Sequence, residues 1–166
     1  MGEATGFTLM ELMLVMTLLA VMSVMVTPIF QGSLSGARAE HSMRDLYAAM
    51  KSAQARAVTE GVEHRIYLQP EKNAYWSAHA AYSPEGEIGF EPLAGRSGEV
   101  VELPRDLMME KPKARPGREG GTYYFSFYPS GGCDVASMSV SFSDNARRKY
   151  FFETTGTTVR FEAPKS

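Results

Sequence analysis

The sequence predicts an α+β fold, a long N-terminal hydrophobic helix packed on a C-terminal body of antiparallel β-sheet or β-sandwich. Three observations predict it. Leu12 to Val26 contains no charged residue. Helical spacing of apolar residues returns between Ala37 and about Thr59. Past Gly61 the pattern changes to short alternating runs separated by turn residues. Helix followed by runs of strands reads as α+β, and 166 residues suit one domain plus an appendage.

The apolar segment comes first. Phe7-Thr8-Leu9-Met10 leads into Glu11, and helix formers dominate from there to Val26. Thr17 and Ser23 can bond back to backbone carbonyls. From Phe7 to Phe30 the segment is long enough to cross a bilayer, which takes roughly 20 apolar residues. Glu11 near its start is costly: a carboxylate deep in hydrocarbon costs about 2.5–3.5 kcal/mol even on the gentler insertion scale, so it calls for a partner or a function. A secretory signal peptide would carry a positive n-region, a short apolar stretch and a small-residue cleavage site such as Ala37-Arg38-Ala39. Here the leader Met1 to Gly6 has no Lys or Arg, and the apolar run is longer. A plain membrane anchor explains the length and leaves Glu11 unexplained.

Gly6-Phe7-Thr8-Leu9-Met10-Glu11 resembles the N-terminal motif of type IV pilins and pseudopilins: a glycine, an aromatic residue, a short apolar stretch and a glutamate. The resemblance implies cleavage between Gly6 and Phe7 by a prepilin peptidase, which also methylates the new Phe7 amine. It implies that Glu11 pairs with the amine of a neighbouring subunit, setting one axial register. The free amine would be mostly protonated, since α-amino groups titrate near pH 7.7–8.0. The divisions implied are a leader over 1–6, a membrane and filament-core helix over 7–30, an amphipathic helix over 31–60 and a β-rich body over 61–166. The implied location is the bacterial inner membrane, single-pass, with the body extracytoplasmic and a filament after assembly. Basic residues normally mark the cytoplasmic side, and Arg38 and Arg44 follow the segment while the leader holds only Glu3. The topology therefore follows from the resemblance, against the charge rule.

Pro28 lacks a backbone donor and predicts a helix break or kink, a feature pilin-like helices also share. Gly32-Ser33-Leu34-Ser35-Gly36 reads as a flexible joint more readily than as a G-x-x-x-G helix contact. Beyond it, Met43, Leu46, Met50, Ala53 and Ala57 recur at steps of three and four and form one face, ready to pack on a sheet. Gly61 is the expected stop.

In the body, Val62 to Leu68 reads as a strand, Pro70 to Asn73 as a turn and Ala74 to Ala78 as the returning strand. Glu99 to Leu103, Tyr123 to Tyr128, Met138 to Phe142, Lys149 to Thr154 and Thr157 to Glu162 are further strands. Hairpin turns are expected at Asp144-Asn145 and Thr155-Gly156. Val140 and Phe142 alternate with serines, as in a sheet with one dry face. The Ala-rich helix, Gly61, Trp76, Tyr128-Pro129-Ser130-Gly131-Gly132 and the closing Thr-Gly turn are similar to minor pseudopilins of the H type from type II secretion and to related minor pilins. The resemblance implies a structural subunit whose partners are prepilin peptidase, other pilins or pseudopilins and the inner membrane.

Pro104 to Gly121 shows no periodicity and reads as a mobile loop. Its Arg105, Lys111, Lys113, Arg115 and Arg118, beside Arg147-Arg148-Lys149, could contact phosphates, and single-stranded DNA is the alternative partner. A solvated loop is the simpler reading, and the net charge of −2 supplies no global field for nucleic acid. Chemistry is otherwise sparse. His41, His64 and His79 are scattered with no zinc spacing, and neither a G-x-S-x-G elbow nor a P-loop is present. No metal, cofactor or catalytic role is expected. Cys133, the single cysteine, follows two glycines in a setting that could expose its thiol, yet lacks a basic neighbour to activate it.

Overall fold

The computed structural model describes residues 8–82 and 87–164, with the side chains of 24–35 outside the described set. Gly6 and Phe7 therefore lie outside the described residues. The chain divides into two compact units, Met1–Arg38 and Ala39–Ser166. One helix, α1 (Leu9–Glu60), contributes to both.

Thr8 caps α1. Its backbone carbonyl accepts from the N–H of Leu12 at 3.2 Å, and its Oγ1 lies 3.3 Å from the N–H of Glu11. Thr8-Leu9-Met10-Glu11 is thus a T-x-x-E capping sequence, with the acid also placed favourably in the first turn of the helix dipole. The expected break at Pro28 is absent as an interruption: α1 is helical through Pro28 and through Gly32 to Gly36, where a joint was expected. A proline removes one hydrogen bond of its own, while those before and after it remain to hold the turn. Thr17 Oγ1 donates to Leu14 O at 2.8 Å and Ser23 Oγ to Leu19 O at 2.8 Å, the back-bonding expected of them.

From Ala39 the apolar stripe meets the body. Met43, Leu46, Met50, Ala53 and Ala57 are all buried, and each large side chain removed from water contributes about 1.5–3 kcal/mol. The helix ends at Glu60, and Gly61 takes φ +69° while its N–H closes on Ala57 O at 3.1 Å. This left-handed cap is open to glycine at little cost. Gln54 fastens the helix to the body, its Nε2 donating to Gly131 O and Thr157 O, both at 2.8 Å.

Among the described residues the body has two antiparallel sheets sharing a core with α1. The first contains β1 (His64–Gln69), β2 (Ala74–Tyr82), β3 (Ile88–Pro92), β4 (Val101–Glu102), β6 (Arg115–Pro116) and β7 (Tyr123–Phe127), in the order β3-β2-β1-β7-β6 with β4 on β2. The second runs β10-β9-β8-β5, from β5 (Leu107–Met109), β8 (Val135–Phe142), β9 (Lys149–Thr155) and β10 (Val159–Glu162). Ile66, Leu68, Phe125 and Phe127 of the first sheet and Met138, Val140 and Phe152 of the second face the same core as the helix stripe. Expected strands and both late hairpins are present, with shifted ends.

Pro104 to Gly121 departs from expectation. It contains β5 and β6, and Leu107 and Met109 are buried. Leu107 pairs with Phe142 of β8, Lys113 forms a bridge with Ser137, and Arg115 pairs with Tyr124. The segment thus passes from the second sheet to the first. The β6–β7 connection is also ordered: Gly117 N–H donates to Thr122 O at 2.9 Å, and a Cβ on Gly117 would collide with the Thr122 hydroxyl. Long-range pairing, which has no local sequence period, holds this stretch.

Candidate functional site

Two regions stand out. The first is the start of α1. Leu9, Met10, Leu12, Met13, Leu14, Val15, Met16, Leu18, Leu19, Val21 and Met22 are all exposed, so this stretch is apolar around its whole circumference. Exposed apolar surface of that extent marks a surface meant to be covered, by lipid or by protein. Glu11 is the only ionisable group in the described part of the run, and its exposed side chain sits one turn from the helix start. Among the described residues no helix is long and apolar enough to cross a membrane; the expected span to Phe30 extends into residues whose side chains are not described.

The second region is the outer face of the first sheet. Strand alternation sends His64, Ile66 and Leu68 into the core and Arg65 and Tyr67 outward. Register then collects aromatics from three strands, since Tyr67 lies opposite both Trp76 and Tyr124. The Tyr67 and Trp76 rings stack at 5.3 Å and 7°, and Tyr124 tilts against Tyr67 at 5.6 Å. Arg65 is held between rings, 3.5 Å from the Phe90 centroid and 4.1 Å from that of Tyr124, while its Nε meets Glu63 at 2.8 Å. β3 on one side and the β6–β7 connection on the other wall a cleft of about 660 Å³ over this floor. Sequence reading singled out Trp76 but not this assembly, because its members come together only through strand pairing.

The basic residues considered for DNA contact are distributed and partly engaged. Arg115 Nε lies 3.2 Å from Asp134 Oδ2, and that carboxylate holds the guanidinium above its ordinary range. Lys113 is on the bridge to β8, Lys111 Nζ stands 6.0 Å from the Tyr123 ring, and Arg118 is at the wall of the aromatic cleft. Arg105 lies apart from these, beside Leu103 and Leu107. Cys133 is buried, contrary to the exposed thiol its glycines suggested, and burial pushes the thiol up from its ordinary value. Its N–H donates to Gly156 O at 2.7 Å, which turns this residue into the body.

His64, fully buried, donates from Nε2 to Glu60 Oε2 at 2.9 Å and faces His79 at 5.9 Å between ring centroids. Burial pushes its imidazole below the usual 6.5, with Glu60 pulling the other way. No group of three or more His, Cys, Asp or Glu suited to a metal occurs among the described residues.

No protein-family model matches the chain, and no curated protein matches it by sequence. Solved structures do. Two structures of the minor pseudopilin EpsH from the type II secretion system of Vibrio cholerae match with TM-scores of 0.61 and 0.60, each at 11% identity. Each match covers 78% of this chain, and 99% and 96% of the respective EpsH chains. The fold is therefore that of a minor pseudopilin, a helix packed on antiparallel sheets.

Proposed function

We infer that the chain is a pilin-like structural subunit, a minor pseudopilin or minor pilin that helps to begin or build an extracytoplasmic filament. The observation that carries this reading is the join of two parts: an EpsH-like body and a helix start that is apolar on every side except at Glu11. An apolar cylinder of that kind is stable in lipid before assembly and among other helices after it. Glu11, costly in either place when unpaired, draws a positive partner, and the amine of a cleaved neighbour beginning at Phe7 has the right charge. Prepilin peptidase would cut between Gly6 and Phe7, and the anchored precursor would hold its body outside the inner membrane.

Intact mass of the protein extracted from membranes tests this. The expected species begins at N-methyl-Phe7. A chain that keeps Met1, or one that begins at Glu40 after signal-peptide cleavage, would overturn the reading.

A further inference from the structure

The outer face of the first sheet is the other place where side chains are gathered for no structural purpose yet described. The solvent side of an antiparallel sheet is ordinarily polar. Here it carries Tyr67, Trp76, Tyr124 and Phe90, all half-buried or only partly covered. The cleft above them, about 660 Å³, lies within the about 300–1,000 Å³ usual for small-ligand sites.

The site is also held in advance of any ligand. Arg65 is fixed by two rings and Glu63, and the wall opposite β3 is locked by the close approach of Gly117 to Thr122. Groups already fixed lose little freedom on binding.

Charge narrows the choice of ligand. Glu63 offsets Arg65, and Arg118 at the wall is followed by Glu119, so the cleft has acid for base. A polyanion needs an excess of cations, which this floor lacks. The Arg65 guanidinium already lies against two aromatic rings, which compete with any stacking on a base. A bound peptide would need backbone donors and acceptors, but those of the floor strands are used in their own ladders. What remains is partly exposed aromatic surface edged by planar polar groups, namely carboxylate, guanidinium, phenol and indole N–H. A pyranose ring presents the complement, a C–H face for the aromatics and hydroxyls at its edge that both donate and accept.

We propose that this cleft is a binding site for a neutral oligosaccharide, with Tyr67, Trp76 and Tyr124 as the apolar platform and Glu63 and Arg65 as hydroxyl partners. The site shares no residue with the start of α1 and does not depend on the filament reading.

Trp76 is the single tryptophan, so its emission reports this cleft alone. The test titrates the full-length chain, in a detergent without a sugar headgroup, with cellohexaose, chitohexaose and a twelve-nucleotide oligo-dT. At least one sugar should give a saturable change at about 10 μM to 1 mM, and its affinity should vary less than about twofold between about 50 and about 500 mM NaCl. Tyr67→Ala and Tyr124→Ala should each weaken it by about tenfold or more with an unchanged circular dichroism spectrum, while Tyr67→Phe, which keeps the ring, should stay within about threefold. The proposal fails if neither sugar saturates by about 10 mM, or if the alanine variants bind like the parent. Tighter, salt-sensitive binding of the oligo-dT would also overturn it.

Discussion

Asn73 offers the sharpest test of how the body is held together. It sits at φ 52° and ψ 42°, the left-handed region, between the short turn Pro70–Lys72 and β2. Its side chain behaves as a missing strand neighbour for β5: Nδ2 donates to Leu107 O at 2.7 Å, and Oδ1 accepts from Met109 N–H at 2.9 Å. Its backbone carbonyl also accepts from Leu103 N–H at 2.8 Å. One residue thereby ties the β1–β2 turn to the edge strand of the other sheet. Asn73→Gly keeps the backbone conformation and removes both side-chain bonds. Each bond lost from a partly buried partner costs about 1–2 kcal/mol, so the variant should lose about 2–4 kcal/mol. Asn73→Ala loses the same bonds and keeps a Cβ in the left-handed region, which costs it about 1–2 kcal/mol relative to the glycine variant. Urea unfolding of the full chain followed by Trp76 emission measures both. With a slope of about 2 kcal/mol per molar, the glycine variant should unfold about 1–2 M earlier and the alanine variant earlier still. A glycine variant within about 0.5 kcal/mol of the parent would refute the clasp. An alanine variant more stable than the glycine one would refute the conformational part of the argument.

Three other outcomes are expected. His64, with Glu60, His79 and Arg56 around it, has a folded pKa below its unfolded 6.5; the unfolded chain therefore takes up the proton first, and stability present above pH 6.5 is lost as pH falls below it. His64→Gln should flatten unfolding free energy against pH in that window, and an unchanged slope would remove His64 as the cause. Cys133, buried with a raised pKa, should react with a maleimide about a hundredfold or more slower in the native chain than in urea; equal rates would show the site to be open. Glu11→Ala should leave leader cleavage intact and impair filament incorporation. Glu11→Gln separates two roles, since glutamine also suits the capping position after Thr8; normal incorporation of that variant would refute the charge-pairing mechanism.

The parts of this fold legible in the sequence are those whose signal is local. Met43, Leu46, Met50, Ala53 and Ala57 announce a buried helical face because packing on one side imposes a period of three and four. Gly61 announces its end because the turn beyond needs a left-handed residue. Val140 and Phe142 alternate with serines because the pleat does. Leu107 to Met109 and Arg115-Pro116 carry no such period: each is a short strand, ordered by partners far along the chain, and the prolines and glycines around them imitate a loop. Pro28 does not interrupt the helix, as one absent donor did not end a helix sustained on both sides.

The functional regions divide in the same way. Sequence alone determined the apolar run, its single acid and the residues around Gly6 and Phe7, because an apolar surface without interruption is written directly as composition. Tertiary structure alone decided the aromatic cleft, the burial of Cys133 and the pairing of Arg115 with Asp134. Tyr67, Trp76 and Tyr124 are ordinary strand residues until β1, β2 and β7 pair in one register, and only that pairing puts them on a common face.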